Sequence, residues 1–142
     1  MGQRLPELER RRRATERTRQ KYIGREFDWK RWRHCIALAR YQAVQLGHRP
    51  PPIRPIRGPV SAKRELAKRG FGSAIELLDG EFPRIAPAQM LLGDLAAVKG
   101  ADGLDCIMVN VGPGRLMGWR EDVAELVVLV VDFSDIDAAW RL

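Results

Sequence analysis

Two cysteines and two histidines are all that the 142 residues offer of the side chains that most often carry thiol or metal chemistry. Cys35 and Cys106 are too few and too far apart for the disulfide scaffold of a small secreted domain, so both read as thiols. Long apolar runs are also missing. The longest, Leu126 to Val131, has the length of a strand, far short of the roughly 20 residues that a membrane helix needs. No apolar stretch follows the N-terminal charges as a secretory signal would require. The expectation is synthesis in a cytoplasm, without a membrane-spanning segment. A hydrophobic fraction of 45% and a charged fraction of 30% exclude general disorder and fibrous classes, and the length fits one domain.

Charge is plentiful but unevenly placed. Residues 1–69 hold 20 Lys/Arg against 6 Asp/Glu, whereas residues 70–142 hold 5 against 12. A basic front half of this kind looks for a polyanion or for an acidic protein surface. Its densest part is the opening, with Arg10, Arg11, Arg12 and Arg13 followed by Arg17, Arg19 and Lys21; after Met1, only Leu5 and Leu8 supply large apolar side chains before Tyr22. That is too little to bury a face. Residues 1–26 are therefore expected to form a basic arm that orders only against a partner, which those seven basic residues, Trp29 and Trp32 would contact. Such an arm could hold phosphates without regard to sequence. The chain has no zinc spacing, ribonucleoprotein aromatic pair or helix-turn-helix turn, so specific nucleic-acid reading is not expected.

Residues 27–142 read as a single α+β domain. Phe27, Trp29, Trp32, Ile36, Leu38, Tyr41, Val44 and Leu46 give helical spacing from about Trp29 to Leu46, with Asp28 as N-cap and Gly47 as stop. Five prolines between His48 and Pro59 predict an extended crossing. Ser61 to Lys68 predicts a short helix, and Ser73 with Glu76 forms a capping-box pattern for another. Beyond Pro87 the pattern becomes β at Leu95–Val98, Leu104–Val111, Arg115–Trp119 and Leu126–Val131. Helices first and an antiparallel meander second define the class. A closing segment, residues 135–142, should lay Ile136 and Trp140 against the sheet.

Cys35 is the one candidate nucleophile with a favourable place, because the start of a helix stabilises a thiolate. It also needs a base within hydrogen-bond reach. His34 is its neighbour in sequence, so on a helix its side chain would point about 100° away; His48 lies in the loop after the same helix. Gly112-Pro113-Gly114 precedes a strand pattern rather than a helix and reads as a hairpin turn, not a phosphate loop. Asp102, Asp105, Asp132, Asp135 and Asp137 lack calcium-loop spacing. Neither a metal nor a cofactor is implied.

Taken together, Phe27-Asp28-Trp29, Trp32-Arg33-His34-Cys35 before a helix, then Ala62, Leu66 and Gly70, Gly93-Asp94-Leu95, Gly112 and Gly118, and a closing Ala139-Trp140-Arg141 resemble the NlpC-type papain-like cell-wall peptidase superfamily. The order is similar to its short phage-encoded members found among tail genes. The resemblance implies a papain-like domain with N-terminal helices packed on a small antiparallel sheet, the basic arm being an addition. It also implies a virion component of a tailed-phage tail tip, in the baseplate hub region, docking to distal tail, hub or central-fibre proteins. The alternative it offers is an active cysteine peptidase or amidase degrading peptidoglycan during phage entry. In active relatives the second strand begins with the catalytic His; here Gly103-Leu104-Asp105-Cys106-Ile107 has none, and His34 takes the place of the Asp that usually precedes the cysteine. Cys35 is thus a vestigial candidate, with Asp105 in the expected His region, and this argues against a working enzyme.

Overall fold

The basic opening is a helix folded onto its own domain. In the computed structural model, which describes residues 5–100, 104–120 and 123–142, α1 spans Glu7–Tyr22. Glu7 and Glu9 in its first turn and Arg19 and Lys21 in its last complement the helix dipole. Arg12 and Arg13 pair with Glu9, and Arg19 pairs with Glu16, at helical spacings of three and four. Arg11, Ala14, Thr15, Thr18 and Tyr22 form one buried stripe. The expectation of an arm ordered only against a partner is corrected here. Small residues let α1 approach the next helix closely, and the one arginine that enters the interior finds its counter-charge there.

The second helix starts later than its periodicity predicts. Asp28 does act as an N-cap, accepting the Lys30 N–H at 3.0 Å, but it caps a single 3-10 turn over Trp29–Arg31. Trp32 then adopts a left-handed backbone, φ 61°, which stops the turn, and Asp28 and Arg33 pair as a short antiparallel bridge. Helix α2 runs Cys35–Gln45, with His34 as N-cap and Gly47, φ 91°, just past its end. Leu38 is wholly buried on its inner face, worth about 1.5–3 kcal/mol of apolar burial.

The proline-rich crossing leads to α3, Pro59–Lys68, which starts at a proline because the first helical position needs no N–H partner. Ser73 caps α4, Ala74–Glu81, accepting the Glu76 N–H at 3.2 Å. The Glu76 carboxylate reaches back to the N–H of Gly72, one residue short of a reciprocal capping box.

The sheet has six antiparallel strands in the order β1-β6-β2-β3-β4-β5. Strands β2 (Leu95–Lys99), β3 (Asp105–Gly112), β4 (Arg115–Arg120) and β5 (Val123–Val130) form the expected meander, and Gly112-Pro113-Gly114 turns the chain between β3 and β4. The closing segment does more than cover the sheet: β6, Ala138–Trp140, inserts between β2 and the two-residue β1, Arg84–Ile85. Helix α2 packs on β3 and β4, and α1 packs on α2. Leu38, Leu95, Ile107, Val109, Met117 and Trp140 belong to the core between helices and sheet.

Gly93 is the glycine that this packing requires. Its φ is 91°, and a Cβ there would sit 2.9 Å from both Gln42 Nε2 and Thr15 Oγ1. Gln42, fully buried, donates to the Gly93 carbonyl at 3.1 Å and accepts from Thr18 at 2.5 Å, so α1, α2 and the entry to β2 meet at one satisfied polar knot.

Candidate functional site

The loop over residues 28–33 and the head of α2 bring Cys35 to the start of β3. Its Sγ lies 3.7 Å from the carbonyl oxygen of Asp105, so the residue pair singled out in the sequence does meet. Both open onto a groove of about 880 Å³ that also takes in Phe27, Trp29, Trp119 and Asp137. Phe27 and Trp29 touch edge to face at 5.2 Å, and the Trp119 indole donates to the Arg25 carbonyl at 3.0 Å, which fixes this aromatic wall. The stretch Gly103-Leu104 is described only from Leu104 onward, and Asp102 lies outside the described residues.

The environment of Cys35 opposes a thiolate. Burial pushes its thiol above the ordinary value; backbone hydrogen bonds at Ile107, Ile36 and Cys35 itself offset part of that, and the charge of Asp105 adds to it. Burial likewise raises the Asp105 carboxyl, against the Ile75 N–H at the head of α4, and Asp137 raises it further. The Asp105 carboxylate beside the thiol makes the thiol harder to ionise.

Each histidine is engaged in a contact of its own. His34 is the N-cap of α2: its Nδ1 accepts the Ala37 N–H at 3.2 Å. A ring nitrogen that accepts leaves the proton on the other, so the Nε2 of His34 carries it; this nitrogen is buried with no partner among the described residues. The ring stacks on Trp29 at 5.1 Å, and burial pushes its pKa down to about 4. His48 packs edge-on against Phe82 at 5.1 Å, and burial, then the positive charges of Arg10 and Arg11, lower its pKa. The capping role of His34 was missed in the sequence because the helix was expected to start at about Trp29, which places His34 inside it rather than at its head.

The basic residues assigned to a partner divide into two kinds. Arg11 faces inward: its guanidinium donates to Asp94, to the Leu92 carbonyl and to the Leu142 carbonyl. Arg10 reaches the Leu46 carbonyl at 2.9 Å, and Arg17 holds Gln45 at 2.7 Å, so both tie α1 to the end of α2. Arg12, Arg13 and Arg19 stay on the outer surface, paired within the helix, and Lys21 lies 5.0 Å over the Tyr41 ring. Trp32 is 40% exposed, whereas Trp29 is half-buried against Ile36 and Ile56.

Asp94, known in the sequence only as part of a Gly-Asp pair, accepts hydrogen bonds from four different residues. It is wholly buried and accepts from Arg11, Arg141 and the N–H groups of Leu91 and Leu142, each at 2.8–2.9 Å.

No curated protein sequence matches the chain. Among solved structures it is similar to the NlpC/p60 domain of the peptidoglycan hydrolase SagA, with a TM-score of 0.60 and 19% identity over 92% of this chain and 97% of that one. At that identity the likeness establishes the fold, an NlpC-type papain-like domain, as the order of sequence motifs implied. The model of a family described as Domain of unknown function (DUF6950) matches residues 3–142, and the chain belongs to that family.

Proposed function

We propose that this chain is a structural component of a tailed-phage tail tip, built on an NlpC-type domain whose cysteine no longer works as a nucleophile, and that it docks to other tail proteins. The observation that carries the loss of activity is the protonation chemistry around Cys35. Acyl transfer needs a group that takes the thiol proton and returns it to the leaving amine. The acceptor nitrogen of His34 is committed to the Ala37 N–H, His48 sits against Phe82, and the atom that meets the thiol is the backbone carbonyl of Asp105, which takes no proton. The tail-tip setting rests on the resemblance to phage-encoded relatives. The exposed basic side of α1, with Arg12, Arg13 and Arg19, supplies a surface suited to an acidic neighbour.

Two measurements test this. Purified protein incubated with peptidoglycan fragments should show no turnover; hydrolysis that disappears in Cys35→Ala would establish the cysteine peptidase or amidase instead. Virions purified from a host carrying the gene should contain the chain by mass spectrometry, and Cys35→Ala should leave their yield unchanged. Absence of the chain from intact particles sinks the tail-tip assignment.

A further inference from the structure

The two edges of the sheet are guarded very differently. β1 is two residues long, and its Arg84 is held by Asp79 at 2.7 Å. Short length and a charged residue are ordinary ways of blunting an edge. β5 is eight residues long, and its stretch Leu126–Val130 has no charge, proline or glycine.

The chain covers only the first half of the β5 edge. Phe27 donates to the Ala124 carbonyl at 3.0 Å, and Leu126 donates to the Arg25 carbonyl at 3.2 Å. Val131 donates inward, to Gly114 in the turn before β4, at 2.7 Å. Strand alternation then assigns Leu126, Val128 and Val130 outward and Val127 and Leu129 toward β4. The Leu126 N–H is satisfied by the Arg25 carbonyl. Among the described residues nothing pairs with the outward N–H and C=O groups of Val128 and Val130, and these side chains are 52% and 86% exposed. They share a sheet face with the buried Leu126, beyond the strands on which α2 packs.

We propose that this chain pairs with a second copy of itself, β5 against β5 in antiparallel fashion, about a two-fold axis at Leu129. In that register Val128 of each copy meets Val130 of the other, so all the outward groups of both residues are satisfied at once by four N–H···O bonds. The exposed valines of the two copies come side by side on one face. The occupant follows from the pattern of the edge. An antiparallel two-fold makes an edge complementary to itself. The same register brings Asp132, just past the end of β5, toward the Arg25 that sits across from Leu126 of the other copy, so opposite charges approach where the pairing ends. Arg25–Phe27 blocks further pairing at both ends, and the guarded β1 edge offers no second site, so the assembly closes at two.

Sedimentation velocity on the full chain, from micromolar to millimolar concentration, tests the pairing. A monomer–dimer equilibrium is expected. Val130→Pro should weaken it by at least about tenfold, since it removes an outward N–H and leaves the β4–β5 bonds intact; Val128→Lys should do the same by guarding the edge. Amide exchange at Val128 and Val130 should slow as concentration rises, a readout that needs no variant. A wild-type chain that stays monomeric throughout, a dimer that resists both substitutions, or a dimer in which these two amides remain unprotected would overturn the proposal.

Discussion

Arg11 Nη1 lies 2.9 Å from Asp94 Oδ1, with both side chains buried and the two residues 83 positions apart in the chain. The pair joins α1 to the entry of β2, and through the Leu142 carbonyl, 2.6 Å from Arg11 Nη2, to the end of the closing strand segment. Removing one partner of such a pair leaves a buried charge without compensation, whereas the intact pair adds little beyond its own desolvation.

Arg11→Ala should therefore destabilise the domain by about 3 kcal/mol, the lower end of the range for broken buried pairs, because Arg141 remains on Asp94. Arg12→Ala, on the exposed side of the same helix, should leave stability essentially unchanged. Urea unfolding of the two variants separates a helix that belongs to the fold from a basic arm. Equal, negligible effects would restore the arm.

That contrast also shows where the sequence was readable. Seven basic residues among few apolar ones read as an arm awaiting a partner; in the folded helix six of them lie at or near the surface. The seventh is buried only because Asp94 awaits it 83 positions later, a pairing that local composition cannot reveal. The start of α2 was misplaced for a related reason: Trp29 and Trp32 continue the helical spacing, while the left-handed Trp32 and the capping nitrogen of His34 are decided by contacts that periodicity does not encode. Gly93-Asp94 was visible as a motif, but its causes, the close approach of Gln42 and the bonds to Arg11 and Arg141, are tertiary. The meeting of Cys35 with Asp105 was legible only through the resemblance to NlpC-type domains, which puts Asp105 in the expected His region.

His34 predicts a pH dependence. Its pKa falls from 6.5 to about 4 on folding because burial disfavours the imidazolium. Between those values the unfolded chain binds the proton and the folded chain does not, so stability rises with pH across this window and is lost as pH falls from 6.5 toward 4. The full effect is about 3 kcal/mol. His34→Asn keeps a capping side chain without a titrating group, and its unfolding free energy should vary less than wild type between pH 6.5 and 4. Parallel profiles would show that the imidazole contributes nothing.

Cys35 should behave as a packed thiol. Burial and the neighbouring Asp105 both hold it in the protonated form, and the thiolate is the reacting species. Alkylation by iodoacetamide at pH 7, followed site by site by mass spectrometry, should be at least about tenfold slower at Cys35 than at a free cysteine. Asp105→Asn removes the like charge and should speed the reaction. A fast reaction in the wild type, insensitive to Asp105, would mean that the helix terminus dominates after all.

Trp140 closes the core from the sheet side. It is wholly buried in β6, pairs with Arg84 on one strand and Leu95 on the other, and donates its indole N–H to Asp79 at 2.9 Å. The Asp79 carboxyl is in turn held below its usual range, first by its hydrogen bond with Arg84 and also by this indole. Trp140→Ala leaves a cavity where the ring lay, for a cost of about 3–5 kcal/mol, and also deprives Asp79 of a donor. Trp140→Phe fills most of the cavity but supplies no N–H, so it should cost less, by the difference between a void and a lost hydrogen bond. Thermal unfolding of the two variants resolves these contributions. Near-wild-type stability of Trp140→Ala would show that the closing segment does not hold the sheet together, whereas equal losses in both would place the whole contribution in the bond to Asp79.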